Sequence, residues 1–278
     1  MKFTKMQGIG NDYIYVNCFE ETVEHPSELA VRLSDRRFGI GADGLILIQP
    51  SEVADCRMEM FNADGSLGMM CGNGIRCVAK YVYDRGIIRK DTLRVETRSG
   101  VKSLQLHLED GVVTSVRVNM GKPELSAKKI PANFAKERIV EESVLTRSGR
   151  IWDITCVSMG NPHAVTFVED VENLELSLIG PEMEHHEMFP ERANIEFIHV
   201  ISPNEIQMRV WERGSGETWA CGTGACASAV AAVLTGRTER NMTVHLRGGD
   251  LQIFWDPETD DVYMEGSATF VFDGTVEI

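Results

Sequence analysis

"CGNGIRC", residues 71–77, sets a cysteine at the mouth of a tight glycine turn, directly before the helical run "IRCVAKYVYDR". A second unit of the same design, "CGTG" at 221–224, precedes "ACASAVAAVLTG". Cys71 and Cys221 lie 150 positions apart, and so do the "GN" at 10–11 and the "GN" that opens "GNP" at 160–162. Two anchors with one offset mark an internal repeat. Under the same offset Phe61 falls opposite Trp211, Asn62 opposite Glu212 and Ala79 opposite Ala229.

The coarse patterning repeats as well. Strand-like "FTKMQG", "IYVN", "LILIQ" and "RMEMF" precede the first cysteine turn, and "WDITCVSM", "HAVTFV", "NIEFIHV" and "IQMRVW" precede the second. Period-two alternation supports the strands, and Gly236 is a suitable stop for the second helix. That helix is apolar nearly all the way round, which requires burial on every side, so a sheet must curl around it. The expected fold class is α+β: two pseudo-symmetric domains, each a curved, mostly antiparallel, barrel-like sheet around a central helix. The expected division is 1–118 plus 264–278 for the half carrying Cys71 and 119–263 for the half carrying Cys221. The stretch 121–149, with prolines and mixed charge, is expected to link the halves.

At 278 residues, with 43% hydrophobic and 25% charged side chains, the chain has the composition of a globular protein with a sizeable core. A formal charge of −14 argues against nucleic acid or an anionic membrane as partner. The basic residues Arg76, Lys80, Arg85, Arg89, Lys90, Arg94 and Arg98 read as a solvated helix face and strand edge. The N-terminal "MKFTKMQGIGNDYIYVN" alternates like a strand and lacks a signal-peptide core. No segment approaches the ~18 uninterrupted apolar residues of a membrane span. Seven cysteines, an odd number, argue against a disulfide framework. A cytoplasmic location is expected.

Each repeated cysteine sits where a helix begins, with glycines that let a ligand approach the backbone. Orphan N–H groups and the positive end of the helix dipole bind anions there, and the same field draws a thiol pKa down from ~8.5. Two such units suggest inversion of a carbon centre: one thiol removes a proton while the other adds one from behind. The helix N-termini would face the ligand's carboxylate and stabilise the enolate-like charge. No lysine lies in a pyridoxal-phosphate setting, so no cofactor is expected. The spacings 71–77 and 221–226 are not those of zinc knuckles, and no metal is expected. Cys77 and Cys226 read as packing residues, as do Cys18, Cys56 and Cys156. "EHHE" at 184–187 reads as a solvated loop.

The set "GNDYIYVN", "GIGADGLI", "FNADGS", "MCGNGIRC", "SMGNPHAV", "FPERANIEF" and "WERGSGETWACGTGACA" resembles the diaminopimelate epimerase family, over nearly the whole chain. The resemblance implies a cofactor-independent enzyme that interconverts LL- and meso-diaminopimelate on the route to lysine and, in bacteria, peptidoglycan. It implies that Cys71 and Cys221 are the acid/base pair, conventionally donor and acceptor, with roles that exchange with direction. It maps the substrate contacts onto Asn11, Asn62, Gly72, Asn73, Asn161, Asn194, Glu212, Arg213, Gly222 and Thr223. His163 and Glu212 match positions thought to tune the thiols. These types suit a substrate with an amino-acid head at both ends: Arg213 can grip a carboxylate with its planar fork, and Glu212 and asparagine carbonyls can receive ammonium.

Two positions depart from the family pattern. Gly44 stands where some members carry glutamine, so that contact is lost or made by backbone. Phe272 stands where some relatives have a tyrosine tied to dimerisation; a homodimer is still expected, through apolar packing. Three alternatives remain open at this point: proline racemase or hydroxyproline epimerase, a phenazine-biosynthesis isomerase, and a binding module whose thiols sense redox state.

Overall fold

The computed structural model describes residues 1–277. They divide into two compact units, 1–119 with 265–277 and 120–264. The first unit opens with β1 (Lys2–Gly8), β2 (Asn11–Asn17), α1 (Pro26–Ser34), β3 (Gly44–Gln49) and β4 (Cys56–Asn62). It continues with α2 (Gly72–Asp84), β5 (Thr92–Thr97), β6 (Gly100–Glu109) and β7 (Val112–Gly121). In the second unit follow β8 (Glu142–Leu145), β9 (Ile151–Ser158), β10 (Pro162–Phe167), α3 (Leu176–Glu184), β11 (Asn194–Ser202), β12 (Glu205–Glu212) and β13 (Gly216–Thr218). Then come α4 (Gly222–Leu234), β14 (Asn241–Leu246), β15 (Gly249–Trp255) and β16 (Val262–Gly266), and β17 (Thr269–Thr275) ends the chain in the first unit. None of the helices among the described residues is long and apolar enough to cross a membrane.

The repeat governs register as well as order. In the first unit β2 pairs parallel with β3, placing Ile14 opposite Leu45, and β3 pairs antiparallel with β4, placing Leu45 opposite Phe61. Moved on by the offset of the cysteines, the same pairs recur as Ala164 opposite Ile195 and Ile195 opposite Trp211. The helices α2 and α4 correspond residue for residue. Each is followed by a left-handed glycine, Gly86 at φ 74° and Gly236 at φ 71°, where a side chain would be strained.

Each sheet curves around its helix. Helix α2 packs on β1, β2, β5 and β6, and α4 on β9, β10, β11, β12, β14 and β15. Residues Gly222, Gly224 and Ala225–Ala232 of α4 are buried, as its all-round apolar sequence requires. Both faces of the inner strands are covered, so β3 reads as an unbroken apolar run. Leu45 and Leu47 join Leu29 and Leu33 of α1 in one outer core, while Ile46 points at α2. The second unit has a matching outer core of Trp152, Ile154, Leu176, Met183, Ile195 and Phe197.

Two expectations are corrected. The stretch 121–149 is no linker: Ala127, Ile130, Ala132, Ile139 and Val144 lie in the outer core of the second unit, which this segment covers. Its scattered apolar residues bury singly from an irregular path, which leaves no period to read. Arg76 and Lys80 are buried, not solvated. Arg76 donates from Nη1 to Gly72 O at 3.3 Å and Asn73 Oδ1 at 3.0 Å, and from Nε to Ser267 O at 3.1 Å. Lys80 bridges Asp84 at 2.7 Å and donates to Val113 O at 2.6 Å.

Gly180 in α3 tests this packing. A Cβ there would lie 2.3 Å from Cγ and Cδ2 of Trp211, whose indole Nε1 is held by Glu184 at 2.8 Å. The ring therefore cannot swing aside, and Pro181 crowds the same position. Helix propensity favours alanine by about 1 kcal/mol, but overpacking costs about 1–3 kcal/mol. Gly180→Ala is expected to lower the midpoint of thermal unfolding by a few degrees; an unchanged or higher midpoint would contradict the packing argument.

Candidate active site

Cys71 and Cys221 are the N-cap residues of α2 and α4, with extended backbone at φ −127° and −123°. The glycine that follows two residues after each first glycine has a steric cause. A Cβ on Gly74 would lie 2.7 Å from Ile46 Cδ1, and one on Gly224 would lie 2.7 Å from Glu196 Oε1. The motif is the pattern that lets a strand side chain press against the first helical turn while the N–H groups stay open.

In the first unit, Cys71 Sγ accepts from Gly74 N at 3.3 Å and donates to Asn11 Oδ1 at 3.2 Å. The Asn11 amide donates from Nδ2 to Asp43 Oδ2 at 2.6 Å, which fixes which end faces the thiol. Asp43 and Asp12 share Arg36, at 2.9 and 2.7 Å, and Asp12 also meets buried Lys5. Those cations hold the Asp12 carboxyl below its usual range despite its burial. Gly72 and Asn73 are buried in the first helical turn, and the Asn73 amide oxygen is occupied by Arg76. Asn62 ends β4 opposite Gly44, with Nδ2 donating to Ser66 Oγ at 2.9 Å.

The second unit carries more charge. Cys221 is 6% exposed, with Thr223 Oγ1 at 3.6 Å from its sulfur. Thr223 Oγ1 accepts from Asn161 Nδ2 at 3.3 Å, and Asn161 Oδ1 lies 3.0 Å from His163 Nε2. The other ring nitrogen, Nδ1, lies 2.7 Å from Glu196 Oε1, and both side chains are fully buried. Glu196 Oε2 has no hydrogen-bond partner among the described residues. Glu212 takes a hydrogen bond from the Thr218 hydroxyl; burial nevertheless pushes its carboxyl above the usual range. Burial first, then the charges of Glu212 and Glu196, push the Cys221 thiol well above an ordinary cysteine. Thr223 and the Gly224 N–H oppose that rise. Cys221 is therefore a thiol at neutral pH.

Arg213 lies on the turn after β12. Its backbone N–H donates to Asn194 Oδ1 at 2.9 Å and its Nη1 to Glu191 O at 3.1 Å. Asn194 also donates from Nδ2 to Pro162 O at 2.8 Å, so its amide braces the turn and the start of β10. Glu184 was missed by sequence reasoning: it ends α3 and is 3% exposed, whereas the rest of "EHHE", 185–187, is the expected solvated turn, with His185 and Glu187 exposed. The Glu184 carboxylate holds Trp211 Nε1, Gly214 N at 2.9 Å and Arg192 at 3.3 Å, clamping the turn that carries Glu212 and Arg213. Little local marks it, because Trp211 and Gly214 lie 27 and 30 residues away. Glu196 and Asp43 were also missed, for the same reason. Cys77, Cys226, Cys56 and Cys156 are buried packing residues, and Cys18 is half-buried.

The first unit thus supplies a capped thiol and a braced amide, and the second a buried thiol beside two carboxylates and an imidazole. Each can hold or release a proton next to open helix N–H groups. A family model described as diaminopimelate epimerase matches residues 3–126 and 155–271. The chain is 58% identical over 278 residues to the diaminopimelate epimerase of Acetivibrio thermocellus, covering 100% of this chain and 99% of that protein. It is 51% identical to the diaminopimelate epimerase of Methanococcus maripaludis, with full coverage of both. Among solved structures, a hydroxyproline epimerase from Agrobacterium vitis matches with a TM-score of 0.71 at 13% identity, over 99% of this chain and 90% of that one. A Bacillus anthracis protein of the PhzF phenazine-biosynthesis family matches with a TM-score of 0.70 at 18% identity, over 100% and 99%. Those two likenesses are of fold.

The charge at Glu212 can be tested directly. Removing it relieves the Cys221 thiolate of a repulsive neighbour, so Cys221 should ionise at lower pH. Glu212→Gln is expected to speed alkylation of Cys221 by iodoacetamide at fixed alkaline pH, read by peptide mass. An unchanged rate would show that Glu212 does not govern the thiol.

Proposed function

The chain belongs to the diaminopimelate epimerase family, and from that premise we propose that it interconverts LL-2,6-diaminopimelate and meso-diaminopimelate by proton transfer at one α-carbon. No cofactor takes part. The observation that supports the site assignment is the repeated one: a cysteine at the N-cap of each buried helix, with the glycines that keep its N–H groups open.

One cysteine, as thiolate, takes the α-proton, and the electron pair of the broken C–H bond moves into the carboxylate. Backbone N–H groups of Gly72, Asn73, Gly222 and Thr223 stabilise that developing charge. The other cysteine, as thiol, delivers its proton to the opposite face, and its S–H pair stays on sulfur. Product therefore leaves the two thiols with their protonation exchanged, which is why roles reverse with direction. Cys221, kept protonated by its burial and then by its carboxylate neighbours, starts as the donor in one direction. Arg213 binds the distal carboxylate through its fork, while Asn11, Asn62, Asn161, Asn194 and Glu212 contact the amino and carboxyl groups. A handed array at the distal end admits only an L centre there.

The reaction belongs to lysine formation and, in a bacterium, to peptidoglycan precursor supply. A cytoplasmic location is supported by the buried thiols of Cys56, Cys77, Cys156 and Cys221, none of them a disulfide half. A homodimer is supported by Val271 and Phe272 on β17, 54% and 47% exposed.

In D2O, LL-diaminopimelate is expected to exchange one α-proton and L-proline none. Cys71→Ser and Cys221→Ser should each cost about 10² or more in kcat, within the range of lost acid–base catalysis. Turnover of proline alone, or full activity in either variant, would overturn the assignment. The pH profile should be bell-shaped. In the direction where Cys221 donates, its raised pKa keeps it protonated until pH climbs past the ordinary thiol range, so the alkaline limb lies there.

Light scattering should give a dimeric mass for the native chain and a monomeric one for Phe272→Glu. A monomeric native chain would contradict the dimer.

A further inference from the structure

A row of hydrogen bonds runs from Glu196 to Cys221, and its donors and acceptors give it one direction. Asn161 lies in the middle. Its Nδ2 donates to Thr223 Oγ1 at 3.3 Å, so its Oδ1 is the end that faces His163 Nε2, at 3.0 Å. An amide oxygen carries no proton, and Nε2 must therefore be an N–H donor. The other ring nitrogen, Nδ1, stands 2.7 Å from Glu196 Oε1. Two lone pairs cannot face each other at that distance, so a second proton lies between them. The imidazole and the carboxyl group, both fully buried, thus hold two protons together.

The other oxygen of Glu196 fits that count. Oε2 is buried with no hydrogen-bond partner among the described residues, a costly position for a full carboxylate. A proton shared with Nδ1 withdraws charge from the group and eases that cost. With Nε2 protonated, the Asn161 amide cannot turn over without setting N–H against N–H. Its N–H stays toward Thr223, whose hydroxyl accepts there and is left to donate to Cys221 Sγ, 3.6 Å away. We propose that Glu196 is a positioning residue of the reaction: the proton it shares with His163 locks the Asn161 amide, so that the Thr223 hydroxyl donates to the Cys221 thiolate.

The hydrogen bond from Thr223 opposes the rise that burial and the charges of Glu212 and Glu196 impose on the Cys221 thiol. The other titratable groups on that side act differently. Glu212, from β12, disfavours the thiolate by its charge and is itself held by the Thr218 hydroxyl. Cys156, from β9, is buried and pushed well up, first by that burial and then by Glu196, so it stays a neutral thiol. Glu196 therefore acts on Cys221 twice, against the thiolate by charge and in its favour through the relay. Variants that remove the charge must be compared with one another.

This inference rests on Cys221 being an acid/base group of the proposed reaction, and the two can fail separately. Glu196→Gln and Glu196→Leu both remove the charge, but only glutamine can donate an N–H to Nδ1 and keep Nε2 protonated. The rate of iodoacetamide alkylation at Cys221 is followed against pH by peptide mass. Its midpoint in Glu196→Leu should lie about one pH unit above that in Glu196→Gln, about tenfold less thiolate at a given pH. In the 15N-labelled native chain, nuclear magnetic resonance should show a proton bonded to His163 Nε2 at neutral pH, a readout that needs no variant to fold. Equal midpoints in the two variants, or a bare Nε2 in the native chain, would overturn the role of Glu196 while leaving the Cys221→Ser result intact. Full turnover by Cys221→Ser would overturn the reading beneath it.

Discussion

A helix buried on every side cannot satisfy its first N–H groups with water, and leaving them bare costs free energy. In each unit a sheet curls around such a helix, and a cysteine stands at its N-cap. The thiol is a weak acceptor, so it only partly satisfies that end; the remaining N–H groups stay available to a ligand carboxylate. Gly74 and Gly224 keep the first turn bare so that Ile46 and Glu196 can close against it. Burial of the helix, the anion cradle and the reactive thiol are thus one arrangement, made twice.

The two copies share a frame and differ in charge. Position 46 is isoleucine in the first unit, and its counterpart 196 is glutamate; Asn62 is answered by Glu212. The register is the same, so these substitutions change what faces the thiol without moving it. Around Cys71 the partners include an amide and a backbone N–H. Around Cys221 two carboxylates disfavour the thiolate. Duplication supplied matching geometry, and divergence supplied unlike surroundings for the two thiols.

Sequence periodicity made the curved sheets and enclosed helices legible, because burial on one face or all round leaves a pattern of period two or no polar stripe at all. The Cys-Gly-x-Gly twins stood out because a repeated offset is hard to obtain by chance. Polar residues that act through distant partners left no such trace. Glu184 looked like part of a charged loop, yet it clamps Trp211 and Gly214; Arg76 and Lys80 looked like a solvated face, yet backbone carbonyls bury them. The segment 121–149 looked like a link because irregular chain buries its apolar residues without a period. Gly44 looked like a lost contact, and only the neighbouring ring of Tyr13 shows what the glycine admits.

Glu196 shows most plainly what is kept for chemistry. It is fully buried, one of its oxygens lacks a hydrogen-bond partner among the described residues, and its charge disfavours the Cys221 thiolate. Such a group costs about 1–3 kcal/mol or more of stability. The fold does not need it, because Ile46 fills the equivalent place in the first unit against an equivalent helix. A stabilising apolar residue was thus compatible with the frame, and a costly carboxylate stands there instead. Its contacts say why: Oε1 lies against His163, which meets Asn161, which meets Thr223 beside the cysteine. The chain of contacts from Glu196 through His163, Asn161 and Thr223 orders the polar groups beside Cys221, and the charge of Glu196 disfavours the thiolate there.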